Sequence, residues 1–272
     1  MNKNKISWYI GHMKKTVEVL ELQQKKIDFV IEVVDARLPT KSSNNEILKI
    51  FNNKPIIKVA VKADLIDSKN KLKDLFYLST KNYQDKNKTI NFIQKQLQEK
   101  INKLVAKGLL NPILIGIVIG LPNIGKSSFI NFLGKKNNLN VENRPGVTRK
   151  IENVKISDQL YLIDTPGVFF KNIEDINVGY DLALINCVNR NIIEAKTLLL
   201  HLLNILIVQN KLDLLNIYFG FNALSNDPNL ILEELIVFKK IDADDQSQLD
   251  NFYNFVINKI VSEPNSKLFL EK

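Results

Sequence analysis

Residues 113–127, ILIGIVIGLPNIGKS, constrain the fold of this chain more than any other stretch. The continuous apolar run 113–119 is what a strand buried on both faces of a parallel sheet looks like. It runs directly into Gly120-Leu121-Pro122-Asn123-Ile124-Gly125-Lys126-Ser127, which fits G-x-x-x-x-G-K-[ST], and SSFINFL continues it as a helix. Strand, glycine loop and helix in that order are the context this motif requires. Glycines let backbone N–H groups turn toward phosphates, and the helix start adds its positive end. In that arrangement Lys126 reaches the β- and γ-phosphates and the Ser127 hydroxyl binds Mg²⁺. Backbone groups from Asn123 to Ser128 form the cradle.

A phosphate loop needs a second carboxylate for the metal, and it has to sit at the end of a neighbouring strand. Leu160–Ile163 is a short apolar run ending at Asp164-Thr165-Pro166-Gly167. Asp164 is the candidate for Mg²⁺, through water, and the Gly167 N–H for sensing the γ-phosphate. Between the two motifs, Arg144-Pro145-Gly146-Val147-Thr148 offers Thr148 as a switch hydroxyl on the metal.

Elsewhere the pattern alternates. Residues 27–34 and 55–61 read as strands, 76–78 as a short one, and 88–106 as an amphipathic helix with Ile90, Ile93, Leu97, Ile101 and Leu104 on one face. The lysine-rich stretch after residue 64 reads as helical. Strands alternating with helices predict a doubly wound, mostly parallel α/β sheet with its ligand at the carboxyl ends of the strands. After residue 172 long Leu/Ile stretches at helical spacing take over, which predicts a domain division at 1–172 and 173–272, the second part mostly helical.

Two segments compete to read the base. Asn210, Lys211 and Asp213 spell N-K-x-D; Lys62-Ala63-Asp64 spell it with Val61 in place of Asn. In an ordinary GTPase the motif follows D-x-x-G, which favours the first copy. That order also needs two further strands beyond Gly167 and a later Ser-x-Lys-type tripeptide. Residues 168–213 supply at most one candidate strand, at 205–208, and no such tripeptide follows. The N-terminal third supplies every missing part, ending its strands at Lys62-Ala63-Asp64 and at Ser79-Thr80-Lys81. Because a parallel sheet is defined by spatial neighbours, its strands can be joined in another chain order. Lys62, Ala63 and Asp64, with Ser79 and Thr80, are therefore the expected base site, and Asn210–Asp213 the surface of a helix.

Taken together, Trp8-Tyr9-Ile10-Gly11-His12-Met13, Asp35-Ala36-Arg37, KAD at 62–64, GLPNIGKSS at 120–128, PGVT at 145–148 and DTPG at 164–167 resemble the circularly permuted ribosome-assembly GTPases of the YlqF/RbgA type. The resemblance implies a P-loop GTPase domain with permuted motif order, followed by a helical domain that contacts ribosomal RNA. It implies GTP hydrolysis as a switch in assembly of the large (50S) subunit, slow unless the particle stimulates it. An action on the small subunit or another RNA, and a nucleotide-dependent scaffold with vestigial hydrolysis, remain open alternatives. It also implies GTP and Mg²⁺ as cofactors, a K⁺ ion at Asn123, no DNA partner, and a monomer. Val168 follows Gly167 where Ras-type enzymes carry a water-orienting Gln; the resemblance assigns that work to His12. The family's Asn at position 61 braces the loop and touches the base, so Val61 implies weaker binding with guanine preference kept through Asp64.

Composition adds boundaries. A single cysteine, Cys187, excludes an internal disulfide and suits a reducing compartment. No apolar stretch reaches membrane-spanning length and the N-terminus has no signal-peptide core, so a cytoplasmic protein with no membrane partner is expected. Residues 1–172 hold 30 Lys+Arg against 15 Asp+Glu, whereas residues 173–272 hold 8 against 14. The basic part is the candidate for contact with a polyanion such as RNA.

Overall fold

The structure is a computed structural model and describes residues 13–134, 153–168, 173 and 175–271. His12 and the rest of the Trp8–His12 segment, and Thr148 with Arg144–Val147, lie outside the described residues.

Six strands form one sheet in the order β3-β2-β1-β4-β6-β5. They are β1 (Phe29–Asp35), β2 (Ile56–Val61), β3 (Phe76–Tyr77), β4 (Leu114–Ile119), β5 (Asn153–Lys155) and β6 (Leu160–Asp164). All pairs are parallel except β5 with β6. The β1 strand is buried along its whole length, as its unbroken apolar run predicts for a strand covered on both faces. It lies between β2 and β4, with Asp35 level with Val61. This brings the ends of the N-terminal strands beside the phosphate loop that follows β4.

The helices are α1 (Met13–Gln23), α2 (Asn45–Leu48), α3 (Gln84–Ala106), α4 (Lys126–Leu133), α5 (Ile176–Leu184), α6 (Ala195–Val208), α7 (Asp213–Phe219), α8 (Pro228–Phe238) and α9 (Gln246–Ser262). Leu20 of α1 and Ile47 and Leu48 of α2 cover one face of the sheet, over Val30, Ile117, Ile119 and Ile163. The other face packs Ile93 and Leu97 of α3 and Phe129 and Leu133 of α4 against Ile31, Val59, Val118 and Leu162. That apolar core continues without a break into α5–α9. The doubly wound α/β architecture is thus as predicted.

Three local expectations need correction. The helix predicted over 88–106 begins at Gln84. The lysine-rich stretch after residue 64 has only two short 3₁₀ turns, Ala63–Leu65 and Ser68–Asn70, because it lacks apolar residues at helical spacing to hold a longer helix against the core. The Ile205–Val208 candidate strand is the last turn of α6.

Candidate functional site

The phosphate loop takes its shape from left-handed backbone at two points. Asn123 has φ 55° and Gly125 has φ 116° immediately before α4; the second value is far more accessible to glycine than to other residues. Lys126 opens α4 with its ammonium folded over the loop, donating to the carbonyls of Leu121 (2.8 Å) and Gly120 (3.2 Å). Burial pushes this ammonium down to about 8, against the opposing pull of Asp164. The Ser127 hydroxyl donates to Asp164 Oδ2 at 2.6 Å. Hydroxyl and carboxylate, both hard oxygen donors, therefore meet next to the phosphate lysine, which is the donor set that suits Mg²⁺.

The Asp164–Gly167 turn is docked on the same loop. Thr165 Oγ1 donates to the Val118 carbonyl at 2.6 Å, and the Val168 N–H to Gly120 at 3.3 Å. A Cβ at Gly167 would stand 2.5 Å from Pro122 Cα, so only glycine allows this approach. Val168 is buried in the core between α1, α2 and the sheet. Its side chain serves packing, as expected of an apolar residue that cannot orient water. The Asn123 side chain donates to the Asn186 carbonyl at 3.1 Å, tying the loop to the turn after α5. Ile124 is fully buried and Ser128 exposed; Ile124 can therefore offer a ligand only its backbone.

Across the carboxyl edge from this loop, a cleft of about 260 Å³ is lined by Val61, Lys62, Asp64, Leu65, Thr80, Lys81, Gly125 and Ser128. The faulty base motif and the phosphate loop thus share one cavity. Lys62 is left-handed (φ 61°), which turns the chain out of β2. The Ala63 N–H bonds to the Leu78 carbonyl at 3.1 Å, fastening this turn to the strand edge that leads into Ser79-Thr80-Lys81. The Asp64 carboxylate accepts from Ser79 Oγ at 2.8 Å and from Lys81 Nζ at 3.0 Å. Burial works to raise its proton affinity, yet the Lys81 and Ser79 contacts outweigh it and hold the carboxyl below its ordinary range. An ionised acceptor facing a cleft suits the paired donors of a guanine edge. Val61 is 2% exposed and packs where a Cβ on Gly125 would be 3.6 Å away. Its side chain has no group to donate to or accept from the phosphate loop, and its carbonyl is taken by the Ala36 N–H at 2.9 Å.

Asp35 lies beneath this cleft, fully buried. Arg37 grips it with two charge-assisted bonds (2.8 and 2.7 Å), Lys62 adds a third at 2.9 Å, and the remaining Arg37 nitrogen donates to the Val261 carbonyl at 2.9 Å. Burial alone would raise the Asp35 carboxyl; the two cations reverse that and hold it far below the usual carboxylate range. Cys187 is buried nearby, and burial pushes its thiol up to about 12, so it behaves as the small apolar residue expected.

The clean copy stands elsewhere. Asn210 (φ 52°) and Lys211 form the turn between α6 and α7, and Asp213 is the first residue of α7. The expectation of a helix surface is thus corrected to an interhelical turn, set by the left-handed residue that stops α6. Two residues at this cleft carry little signal in the sequence. Lys81 was legible only as part of Ser79-Thr80-Lys81. Lys267 donates to the Asp64 carbonyl at 2.7 Å from 203 residues away and has no local signal.

The profile of the family described as "50S ribosome-binding GTPase" matches residues 116–233, which takes in the phosphate loop and Asp164–Gly167 but stops short of the 62–64 turn. The "Probable ribosome biogenesis GTPase A" of Mycoplasma pneumoniae is 47% identical over 189 residues, covering 70% of each chain. The chain belongs to the ribosome biogenesis GTPase A family. Another member, the "Ribosome biogenesis GTPase A" of Bacillus licheniformis, is 37% identical over 199 residues, covering 69% of this chain and 70% of that one. The crystal structure of GNP-bound YlqF from T. maritima superposes with a TM-score of 0.57 at 18% identity, covering 95% of this chain and 98% of that one, and so shares the fold. The expected family and the permuted GTPase fold are both borne out.

Proposed function

We propose that this ribosome biogenesis GTPase acts in assembly of the large ribosomal subunit as a slow switch whose turnover the particle stimulates. GTP hydrolysis in ribosome assembly is the activity of the family. The observation that best supports a working site here is the shared cavity. Asp64 stands at one end, and Lys126, Ser127 and Asp164 meet at the loop that borders the other.

In this reading Asp64 accepts from the guanine N1–H and 2-amino group, with Lys62, Ala63, Ser79 and Thr80 framing the base. Backbone N–H groups from Asn123 to Ser128 hold the phosphates, and Lys126 exchanges its two carbonyl partners for phosphate oxygens. Ser127, Asp164 and Thr148 would hold Mg²⁺, which supplies charge neutralisation at the phosphates when bound. The Gly167 N–H reads the γ-phosphate, so hydrolysis releases its turn and the Thr148 segment. His12 orients the attacking water with a neutral imidazole. Asn123 would hold K⁺ through its amide oxygen, since its nitrogen is engaged by Asn186.

The partner is the large subunit and its RNA, met by a monomer in the cytoplasm. Among the described residues no helix is long and apolar enough to cross a membrane. The division near residue 172 separates the nucleotide-handling part, which carries the excess of basic residues, from the helical part, which is net acidic. RNA contact by the helical part therefore needs a local basic patch.

The test is steady-state GTP hydrolysis in K⁺ and in Na⁺ buffer, alone, with large subunits and with small subunits, for the wild type and His12→Ala. Stimulation by large subunits that the variant loses is expected. Stimulation by small subunits alone would move the reading to the other particle. No stimulation, with GTP still bound, would make the protein a nucleotide-dependent scaffold.

A further inference from the structure

The turn at 210–213 keeps the spelling of a base motif without its place, and its lysine has another task. Lys211 Nζ donates to the carbonyls of Ser266, at 2.9 Å, and of Lys267. Those carbonyls belong to the 3₁₀ turn Pro264–Ser266 and the left-handed Lys267 (φ 44°) that ends it. From that turn Lys267 Nζ reaches the Asp64 carbonyl at 2.7 Å. The segment that follows is fastened along the carboxyl edge of the sheet. The Leu270 N–H donates to the Arg37 carbonyl at 2.8 Å, and Glu271 accepts from the Lys41 N–H at 2.8 Å. Phe269 packs among Val34, Ala36, Ala60 and Ile66. Lys267 therefore acts from a rigid platform, and its target is the backbone of the acid in the base cleft.

Beyond the Ala63 N–H bond to the Leu78 carbonyl at 3.1 Å, that backbone needs support. Residues 63–65 form a single 3₁₀ turn, too short to hold its own geometry. Val61, just before the turn, has no side-chain group that could hydrogen-bond to it. We infer that Lys267 is a positioning residue for base recognition, setting the direction of the Asp64 carboxylate through its carbonyl, and that Lys211 serves by clamping the segment that carries Lys267. The inference rests on the reading of Lys62–Asp64 as the base site.

The experiment is displacement of a fluorescent GDP analogue by GDP, IDP and XDP for the wild type, Lys267→Met, Lys267→Arg, Lys211→Met and Asp64→Asn, with melting midpoints alongside. Methionine keeps the apolar stem and removes the donor. GDP binding is expected to weaken about tenfold in Lys267→Met, the scale of one charge-assisted hydrogen bond. IDP, which lacks the 2-amino group that Asp64 reads, should weaken less. Lys267→Arg should recover most of the loss, and Lys211→Met should show a smaller loss of the same kind. A merely structural role would lower the melting midpoint without changing the GDP-to-IDP ratio. GDP affinity within twofold of wild type and an unchanged ratio in Lys267→Met overturns the inference. Asp64→Asn separates the two failures, because an amide should favour the 2-oxo group of xanthine. If that variant shifts preference to XDP while Lys267→Met changes nothing, only the positioning role falls. If it does not shift, the base-site reading falls and this inference with it.

Discussion

Replacing Asp35 by alanine should be among the most damaging single changes in this chain. The wild-type carboxylate is fully buried and receives Arg37 at 2.8 and 2.7 Å, Lys62 at 2.9 Å and the Arg37 N–H at 3.0 Å. Alanine would leave the Arg37 guanidinium, buried in the wild type, with the Val261 carbonyl as its remaining bonded partner. Removing one side of a buried ion pair typically costs about 3–5 kcal/mol, because the other charge stays desolvated. Against a total stability on the order of 5–15 kcal/mol this is a large share. At about 2–4 °C per kcal/mol for a chain of this size, the melting midpoint should fall by roughly 6–20 °C. Lys62 is freed at the same time, so GDP should also bind more weakly and give back less of the lost stability by mass action. Differential scanning calorimetry with and without GDP measures both effects. Arg37→Met on the Asp35→Ala background should recover part of the loss, since no charge is then left buried at that position. A midpoint within about 3 °C of wild type would refute the reasoning, because it would mean that Arg37 finds water or another anion at no cost.

Three further outcomes follow from the same site. With the Lys126 ammonium pushed down to about 8, GDP affinity should be flat below that pH and fall above it. The phosphate favours the protonated form, so above this pH binding must take up a proton and weakens by up to about tenfold per unit; calorimetric titrations from acid to alkaline pH check it, and a flat profile to high pH would contradict the burial of Lys126. Gly167→Ala places a Cβ 2.5 Å from Pro122 Cα; GDP binding should persist while GTP hydrolysis falls at least tenfold, measured by phosphate release. Asp213→Ala should leave GDP affinity within twofold of wild type, since Asp213 opens α7 away from the cleft; a large loss would return the base site to the clean motif.

The acid side of the stability profile follows from Asp35 as well. Its folded-state proton affinity is depressed by Arg37 and Lys62, so its stabilising contribution is complete above the unfolded carboxylate range and is lost as pH falls below it.

Local features are legible in the sequence. The seven apolar residues before Gly120 read as a doubly covered strand because burial on both faces removes any alternation, and β4 occupies Leu114–Ile119. The phosphate loop and the Asp164 turn were legible because each requires fixed spacing at the end of a strand. The permuted order could be deduced by counting which strands were available to carry a base motif. Features that pairing decides leave a weaker mark. The β5 strand is not legible because Asn153–Lys155 is a three-residue antiparallel edge with a single buried residue, too short to show a period. The stretch after Asp64 reads as helical from its lysines, but its buried residues Leu65 and Ile66 are adjacent, and no buried residue three or four positions on continues a helical face.

By itself the chain determined five of its six strands, its phosphate loop and the family to which it belongs, because these depend on hydrophobic period and on residues a few positions apart. Tertiary structure alone decided what completes the cleft at Asp64. Asp35 beneath Lys62, Lys81 on Asp64, and Lys267 held by Lys211 are brought together by parallel pairing and by a segment returning from α9. Contacts between residues up to 203 positions apart leave no periodic mark, since they depend on where two separately stable elements happen to meet.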